Sequence, residues 1–304
     1  MVTWHETLVF LGQCLPAQVV KQLKGMKEGQ LREIRVRAGN HILLETGGRA
    51  TSCPVVPNQQ QVNQIAEALS EHALYARAEE MRSGFVTLKG GHRMGLCGRV
   101  ICQGQTVRGL RDISSLCVRI AGQWRGAADR LLPWLWDEGG RIFSTLIVGM
   151  PGSGKTTMLR DALCRISEGG TRVCVVDERS EIAAMCEGVP QLEIGPNTDV
   201  LDGCSKDAGL RWMIRAMSPQ VLATDELRDM AEGEAVLEAV QSGISVLATA
   251  HGRNMERTLQ RGTLAPLADG CAFERYVLLR ESAVGEIAAV YDEKLRPLVR
   301  EEGS

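Results

Sequence analysis

The chain has 304 residues, 44% hydrophobic and 24% charged, the composition of a globular protein with a sizeable core. That excludes a disordered, fibrous or collagen-like chain, and the longest apolar runs (145–149 and 245–250) are far too short to span a bilayer. The N-terminus carries Glu6 and no early Lys or Arg, so no export signal is expected. Ten cysteines form no C-x-x-C pair, which predicts reduced thiols in a cytoplasmic protein. The net charge of −2 hides an asymmetry. Residues 1–128 carry 16 Lys/Arg against 9 Asp/Glu, and residues 129–304 carry 19 against 28, so two modules are expected.

Leu8, Leu11, Leu15, Val19 and Leu23 recur at helical spacing and predict a helix over 8–23. Residues 31–37 alternate apolar and charged and predict a half-buried strand. The Gly39–Asn40 turn and a strand over 41–45 follow. Val62, Ile65, Ala66, Leu69 and Ala73 place a helix over 59–78. Strands are expected at 85–88, 94–101 and 116–120, around a turn at Gly90–Gly91. Residues 124–140 read as a helix-like linker through Leu131, Leu132 and Leu135. From Arg141 onward short apolar runs (145–148, 173–176, 221–224, 245–249) alternate with helices at 155–167, 210–217 and 232–242. That is the pattern of a parallel sheet covered on both faces. The expected division is an α+β domain over 1–123, a linker over 124–140 and an α/β domain over 141–304.

Gly149-Met150-Pro151-Gly152-Ser153-Gly154-Lys155-Thr156 satisfies G-x-x-x-x-G-K-[ST], between a predicted strand and a predicted helix. There, backbone N–H groups converge on phosphate oxygens and the helix N-terminus adds partial positive charge. Lys155 reaches the β- and γ-phosphates, the Thr156 hydroxyl sits on Mg²⁺, and Thr157 continues the turn. A second acidic element is needed, and the strand 221–224 delivers Asp225 to the metal and Glu226 to the attacking water. Asp177, Glu178 and Glu181 follow another strand, and His251 a further one, where it is placed to sense the γ-phosphate.

Together these residues resemble the stage III sporulation protein AA family. The resemblance is carried by Asp177-Glu-Arg-Ser-Glu-Ile182, Gly188-Val-Pro-Gln191, Thr198-Asp-Val-Leu-Asp202 and Met213-Ile-Arg-Ala-Met-Ser-Pro219. It continues through Thr249-Ala-His-Gly252 and Phe273-Glu-Arg-Tyr276, with Glu33-Ile-Arg-Val-Arg37, Ser83-Gly-Phe-Val-Thr87, Gly90-Gly-His-Arg93 and Ile113-Ser-Ser-Leu116 upstream. It runs from about residue 31 to about 290. The loop departs from the family's usual Pro-Pro-Gly-Cys-Gly-Lys-Thr, and Leu227–Arg228 stands where Ile-Gly is common. Ser205 replaces the Pro before Lys206.

The resemblance implies an α/β, RecA-like P-loop NTPase of the AAA+/secretion-ATPase type with a smaller α+β N-terminal domain for regulation or oligomerisation. It implies a cytoplasmic mother-cell ATPase, using ATP and Mg²⁺, that energises a channel between mother cell and forespore. It also implies a homo-oligomer, a hexameric ring, docked on membrane proteins of that channel without a transmembrane segment of its own. In the related secretion motors arginines of the preceding module reach a neighbour's nucleotide. Arg93, Arg99 and Arg119 are the candidates here, with Arg215 in the ATPase domain itself. Glu178 or Glu181 would assist Glu226. A nucleic-acid-handling ATPase is the rival reading. The aromatics of the basic half (Trp4, Phe10, Tyr75, Phe85, Trp124) are too scattered for base stacking, so nucleic acid is not an expected partner. A nucleotide-gated assembly factor with little turnover is the third reading.

Overall fold

Pro16 shapes the first feature of the fold. A residue before proline is pushed out of the helical region, and Leu15 is extended at φ −108°, ψ 154°. The helix expected over 8–23 is therefore two helices, α1 (Trp4–Cys14) and α2 (Ala17–Leu23). In the computed structural model residues 3–74, 84–104, 106–260, 262 and 264–300 are described, with only the backbone of 106–108, 299 and 300. They divide into two compact units, Met1–Gly122 with Ala184–Leu192, and Gln123–Ala183 with Glu193–Ser304.

The first unit is built on a six-stranded antiparallel sheet. Its strands are β1 (Leu31–Arg37), β2 (Ile42–Thr46), β3 (Arg49–Cys53), β4 (Phe85–Thr87), β5 (Arg93–Gln103) and β6 (Thr106–Arg119), in the order β3-β2-β1-β6-β5-β4. β3 escapes the alternation test because it is an exposed edge strand that buries only Cys53. Its register is set instead by Gly47 and Gly48, both at positive φ (55° and 87°), the geometry of a tight hairpin turn. Helix α3 (Gln59–Leu69) starts on an Asn58–Gln61 capping box and buries Val62, Ile65, Ala66 and Leu69. It stops short of residue 78, because Ser70 caps it and Glu71 and His72 turn left-handed. The rest of the expected helix, past 74, lies outside the described residues. A small hairpin, β9 (Met185–Cys186) with β10 (Val189–Pro190), belongs to this unit although it is distant in sequence.

The second unit carries an eight-stranded sheet. Its strands are β7 (Thr145–Gly149), β8 (Val173–Asp177), β11 (Thr198–Asp202), β12 (Val221–Thr224), β13 (Ser245–His251), β14 (Arg275–Leu279), β15 (Ile287–Asp292) and β16 (Pro297–Arg300). The order is β11-β8-β12-β13-β7-β14-β15-β16. The first six are parallel, and β15 and β16 extend the sheet antiparallel. The period-two rule sends alternate residues of each apolar strand to opposite faces. Leu146, Val148, Cys174, Val176, Leu222 and Val246 meet helices α5 (Lys206–Met217) and α6 (Met230–Gln241). Ile147, Val173, Val175, Val221, Ala223 and Leu247 meet α4 (Lys155–Glu168). Two short helices, α7 (Met255–Leu259) and α8 (Ala265–Asp269), complete the unit.

The expected linker is corrected by this packing. Residues 124–140 hold turns and one 3-10 turn, Leu132–Trp134, instead of a helix, since Pro133 interrupts it. They are part of the second unit's core, with Ala128, Leu131 and Leu135 fully buried on the α4 side. Among the described residues no helix is long and apolar enough to cross a membrane, and all ten cysteines are free.

Candidate functional site

Parallel strands point the same way, so everything that leaves their C-terminal ends is delivered to one edge. Register makes this concrete: His251 pairs with Gly149, Thr224 with Ala248, and Thr224 with Val176. The phosphate loop, the Asp177–Glu181 segment, Asp225–Glu226 and His251 therefore share the edge the sequence assigned to them.

The loop between β7 and α4 is tight enough to require its glycines. Gly152 and Gly154 lie at φ +79° and +94°. A Cβ on Gly149 would sit 2.5 Å from Ser153 Oγ, and one on Gly154 would sit 3.0 Å from the Gly285 amide. Lys155 opens α4 with its ammonium folded over the loop, donating to Gly149 O at 2.8 Å and Met150 O at 2.9 Å. Burial pulls its pKa below the usual lysine range, against the charges of Glu226 and Glu181. The buried Ser153 Oγ has no hydrogen-bond partner among the described residues.

The acidic pair divides into a buried and a reachable member. Asp225 is 3% exposed. Burial pushes its carboxyl up to about 6 even though Lys206 opposes the shift. Its Oδ1 has no hydrogen bond among the described residues and lies 3.4 Å from Lys206 Nζ. Glu226 adopts φ 21°, an unusual conformation for a side-chain-bearing residue. Its N–H donates to Thr249 Oγ1 at 2.8 Å and its carbonyl accepts from Lys206 Nζ at 2.7 Å. Its carboxylate is held by Arg228 and by His251 Nε2, the latter at 2.9 Å. Burial acts to raise this carboxyl, but Arg228, His251 and Lys206 outweigh it and hold it below the usual range. His251, expected at a γ-phosphate, thus faces Glu226.

The other predicted residues separate by role. Asp177 is turned inward, fully buried, and accepts from the amides of Glu181, Ile182 and Ala183. Burial raises its pKa in spite of those three bonds. It shapes the acidic segment. Arg160 supports the same turn from α4, donating to the Ile182 and Glu181 carbonyls. Burial lowers its pKa to about 10, against the charges of Asp177 and Glu181. Glu178 is 3.7 Å from Lys206 Nζ. Arg215 is not brought to this edge. It is exposed in the last turn of α5 and donates to Arg211 O, whereas Lys206 opens that helix, roughly 14 Å away at 1.5 Å per residue. In the first unit Arg93 stacks 3.8 Å over the Phe85 ring, Arg119 pairs with Glu33 at 3.2 Å, and Arg99 is exposed.

Sequence reasoning missed Lys206, Arg160 and Glu232. Glu232 had a legible signal, since Asp229-x-x-Glu232 is a capping box, and its carboxylate indeed receives the Arg228 and Asp229 amides. Lys206 and Arg160 had none, because a lysine or arginine on a helix reads as solvated.

Residues 11–298 match the family model "Sporulation stage III, protein AA". The chain belongs to that family. It is 39% identical over 303 residues to the stage III sporulation protein AA of Bacillus subtilis, covering 96% of this chain and 98% of the relative. The type IV pilus assembly ATPase PilB of Acinetobacter baylyi is 32% identical over 116 residues, which is 38% of this chain and 19% of PilB. Among solved structures, the pilus retraction motor PilT with bound ADP superposes with a TM-score of 0.60 at 17% identity, covering 87% of this chain and 78% of PilT. The Legionella pneumophila ATPase DotB superposes at 0.54 with 16% identity, covering 82% of this chain and 72% of DotB. The fold is that of the P-loop NTPases, and the family's relatives include secretion and pilus ATPases.

Proposed function

We propose that the chain hydrolyses ATP as the oligomeric motor of a sporulation-specific, secretion-like channel between mother cell and forespore. The observation that carries this reading is the delivery of a phosphate loop, its lysine, a buried aspartate and a held glutamate to one edge of one sheet. In this reading Lys155 exchanges the Gly149 and Met150 carbonyls for phosphate oxygens, and the N–H groups of residues 149–157 other than Pro151, which has none, cradle the rest. The residues fit Mg²⁺: the orphaned Oδ1 of Asp225 and the Thr156 hydroxyl are the hard oxygen donors it prefers. Bound there, the ion would neutralise charge on the transferring phosphoryl group. Glu226 orients the attacking water once its carboxylate leaves Arg228 or His251, with Glu178 or Glu181 assisting. The copies would form a ring, a hexamer by analogy with secretion motors, in which an arginine of the first unit reaches the neighbouring nucleotide. The ring would work in the mother-cell cytoplasm against membrane proteins of the channel.

The test is the steady-state ATPase rate against protein concentration, beside Lys155→Ala and Glu226→Gln. A rate per subunit that rises with concentration and is lost in both variants is expected. A concentration-independent rate would remove the shared-site argument and leave a monomeric ATPase. The grip of Arg228 and His251 on Glu226 also favours a second reading, a nucleotide-gated assembly factor with little turnover. It predicts intact ATP binding with a flat assay at every concentration.

A further inference from the structure

The buried ammonium of Lys206 is the feature of the site that the expected ATPase roles leave unused. Lys206 is 1% exposed. It stands at the first position of α5, the positive end of the helix dipole and the wrong end for a cation. Burying a lysine there is costly unless paired, so its surroundings must return that cost.

They consist of oxygen from three separate segments. Lys206 Nζ donates to the Glu226 carbonyl at 2.7 Å. It lies 3.4 Å from Asp225 Oδ1, 3.7 Å from Glu178 Oε2 and 3.7 Å from Glu232 Oε1. Glu178 follows β8, Asp225 and Glu226 follow β12, and Glu232 lies in the first turn of α6. A compact ammonium with three rotatable donors suits this dispersed set better than the flat fork of an arginine.

We propose that Lys206 is a positioning residue for Glu226, clamping its carbonyl so that the glutamate keeps its left-handed backbone and presents its carboxylate to the site. Glu226 at φ 21° lies outside the conformations that side-chain-bearing residues prefer. Two contacts hold its backbone there: Thr249 Oγ1 on the N–H and Lys206 Nζ on the carbonyl. Glu178, Asp225 and Glu232 in turn fix where the ammonium sits. Lys206 touches neither the loop nor Lys155 in any contact described. Because it also lies 3.4 Å from Asp225 Oδ1, the oxygen assigned to Mg²⁺, turnover is compared at saturating Mg²⁺, where an effect through Glu226 persists and one through the metal's carboxylate is relieved. This inference rests on the ATPase reading for its kinetic consequence, whereas the hydrogen-exchange readout does not depend on that reading.

The test uses the full chain with Lys206→Met, and with Lys206→Met/Glu232→Gln compared against Glu232→Gln alone. The double variant removes one of the carboxylates left unpaired, so it stays informative if the single variant fails to fold. Two readouts are taken. Amide hydrogen exchange without nucleotide should be faster over residues 224–229 in both Lys206 variants than in their references, with β14 and β15 unchanged. Turnover should fall about a hundredfold in kcat, the scale set by small misplacements of a catalytic group, with KM within about threefold. Unchanged protection over 224–229, or a kcat near that of the reference, would overturn the proposal. If the parent chain itself shows no turnover, the ATPase reading fails, while the exchange measurement still decides the clamp.

Discussion

The two units handle charge in opposite ways. Among the described residues the first unit buries no Lys, Arg, Asp or Glu, and its ion pairs, such as Arg35–Glu33–Arg119, join solvent-facing arginines to a half-buried glutamate on the strands. The second unit buries Lys155, Arg160, Asp161, Asp177, Lys206, Asp225, Glu232 and Asp292. Five of these, Lys155, Asp177, Lys206, Asp225 and Glu232, lie at the strand ends and helix starts on the C-terminal edge of its parallel strands. Buried charge is a poor route to stability, since desolvation rivals the Coulomb gain. A molecule whose two units have cores of similar apolar character, yet only one of which buries charge, is spending stability where chemistry needs fixed groups. The first unit is held by a plain apolar core and the second by a core plus a pre-set electrostatic cluster.

The sharpest way to break that contrast is through the cluster. Glu226→Gln or Lys155→Ala should lower turnover by about a thousandfold, the range for losing a positioned base or phosphate ligand. Urea unfolding of the first unit should not change in either variant. A turnover loss below tenfold would mean that the buried charges are structural.

A pH experiment probes the other unit, where His92 is the one buried histidine or acidic or basic side chain among the described residues. Burial holds His92 down at about 4, from an ordinary 6.5, with Nδ1 accepting from the Ala121 amide at 3.1 Å. Between those values the unfolded chain takes up a proton that the folded chain refuses. Stability is therefore full above about pH 6.5 and falls as pH drops toward 4, by up to about 3 kcal/mol. Denaturant titrations at about pH 7.5 and about pH 5 should show this slope in the parent chain and a flatter one in His92→Gln. Equal slopes would mean the imidazole is hydrated.

Packing between helix and sheet in the second unit should respond next. A Cβ on Gly209 of α5 would meet Val176 Cγ1 at 2.6 Å and Cys204 Sγ at 2.8 Å. Gly209→Ala should destabilise by about 2 kcal/mol through overpacking, despite alanine's better helix propensity. A rise in melting temperature would show that α5 can shift outward. The smallest effect is expected at the first unit's surface. Arg119→Ala removes an exposed arginine from Glu33, which keeps Arg35 as a partner, and should cost about 0.5 kcal/mol or less. A loss of activity larger than that in a concentration-dependent assay would mark Arg119 as the residue that acts across a subunit boundary.

Much of the second unit was legible because its strands are short apolar runs and its loop is a specific pattern. The boundaries of β7, β8, β12 and β13 fall within two residues of the expected runs. Less of the first unit was legible. The β3 edge strand lacks an apolar stripe, and β6 runs over Thr106–Arg119 although only its last part, near 116–120, has the expected pattern. The antiparallel extension through β15 and β16 was not foreseen, although these strands follow β14 directly in the chain across short connections.

By itself the sequence determined the chemistry that must be present: a glycine loop ending in Lys155–Thr156, an acidic pair after an apolar strand, and a histidine after another. Their types follow from local rules of turns and strand ends, which act over a few residues. Only the tertiary structure decided how the polar groups pair. It turned Asp177 into a backbone anchor, set His251 on Glu226, left Arg215 at the far end of α5, and buried Lys206 among carboxylates. Those outcomes depend on strand order and on desolvation, which are properties of the packed sheet and are not written in any short stretch of the chain.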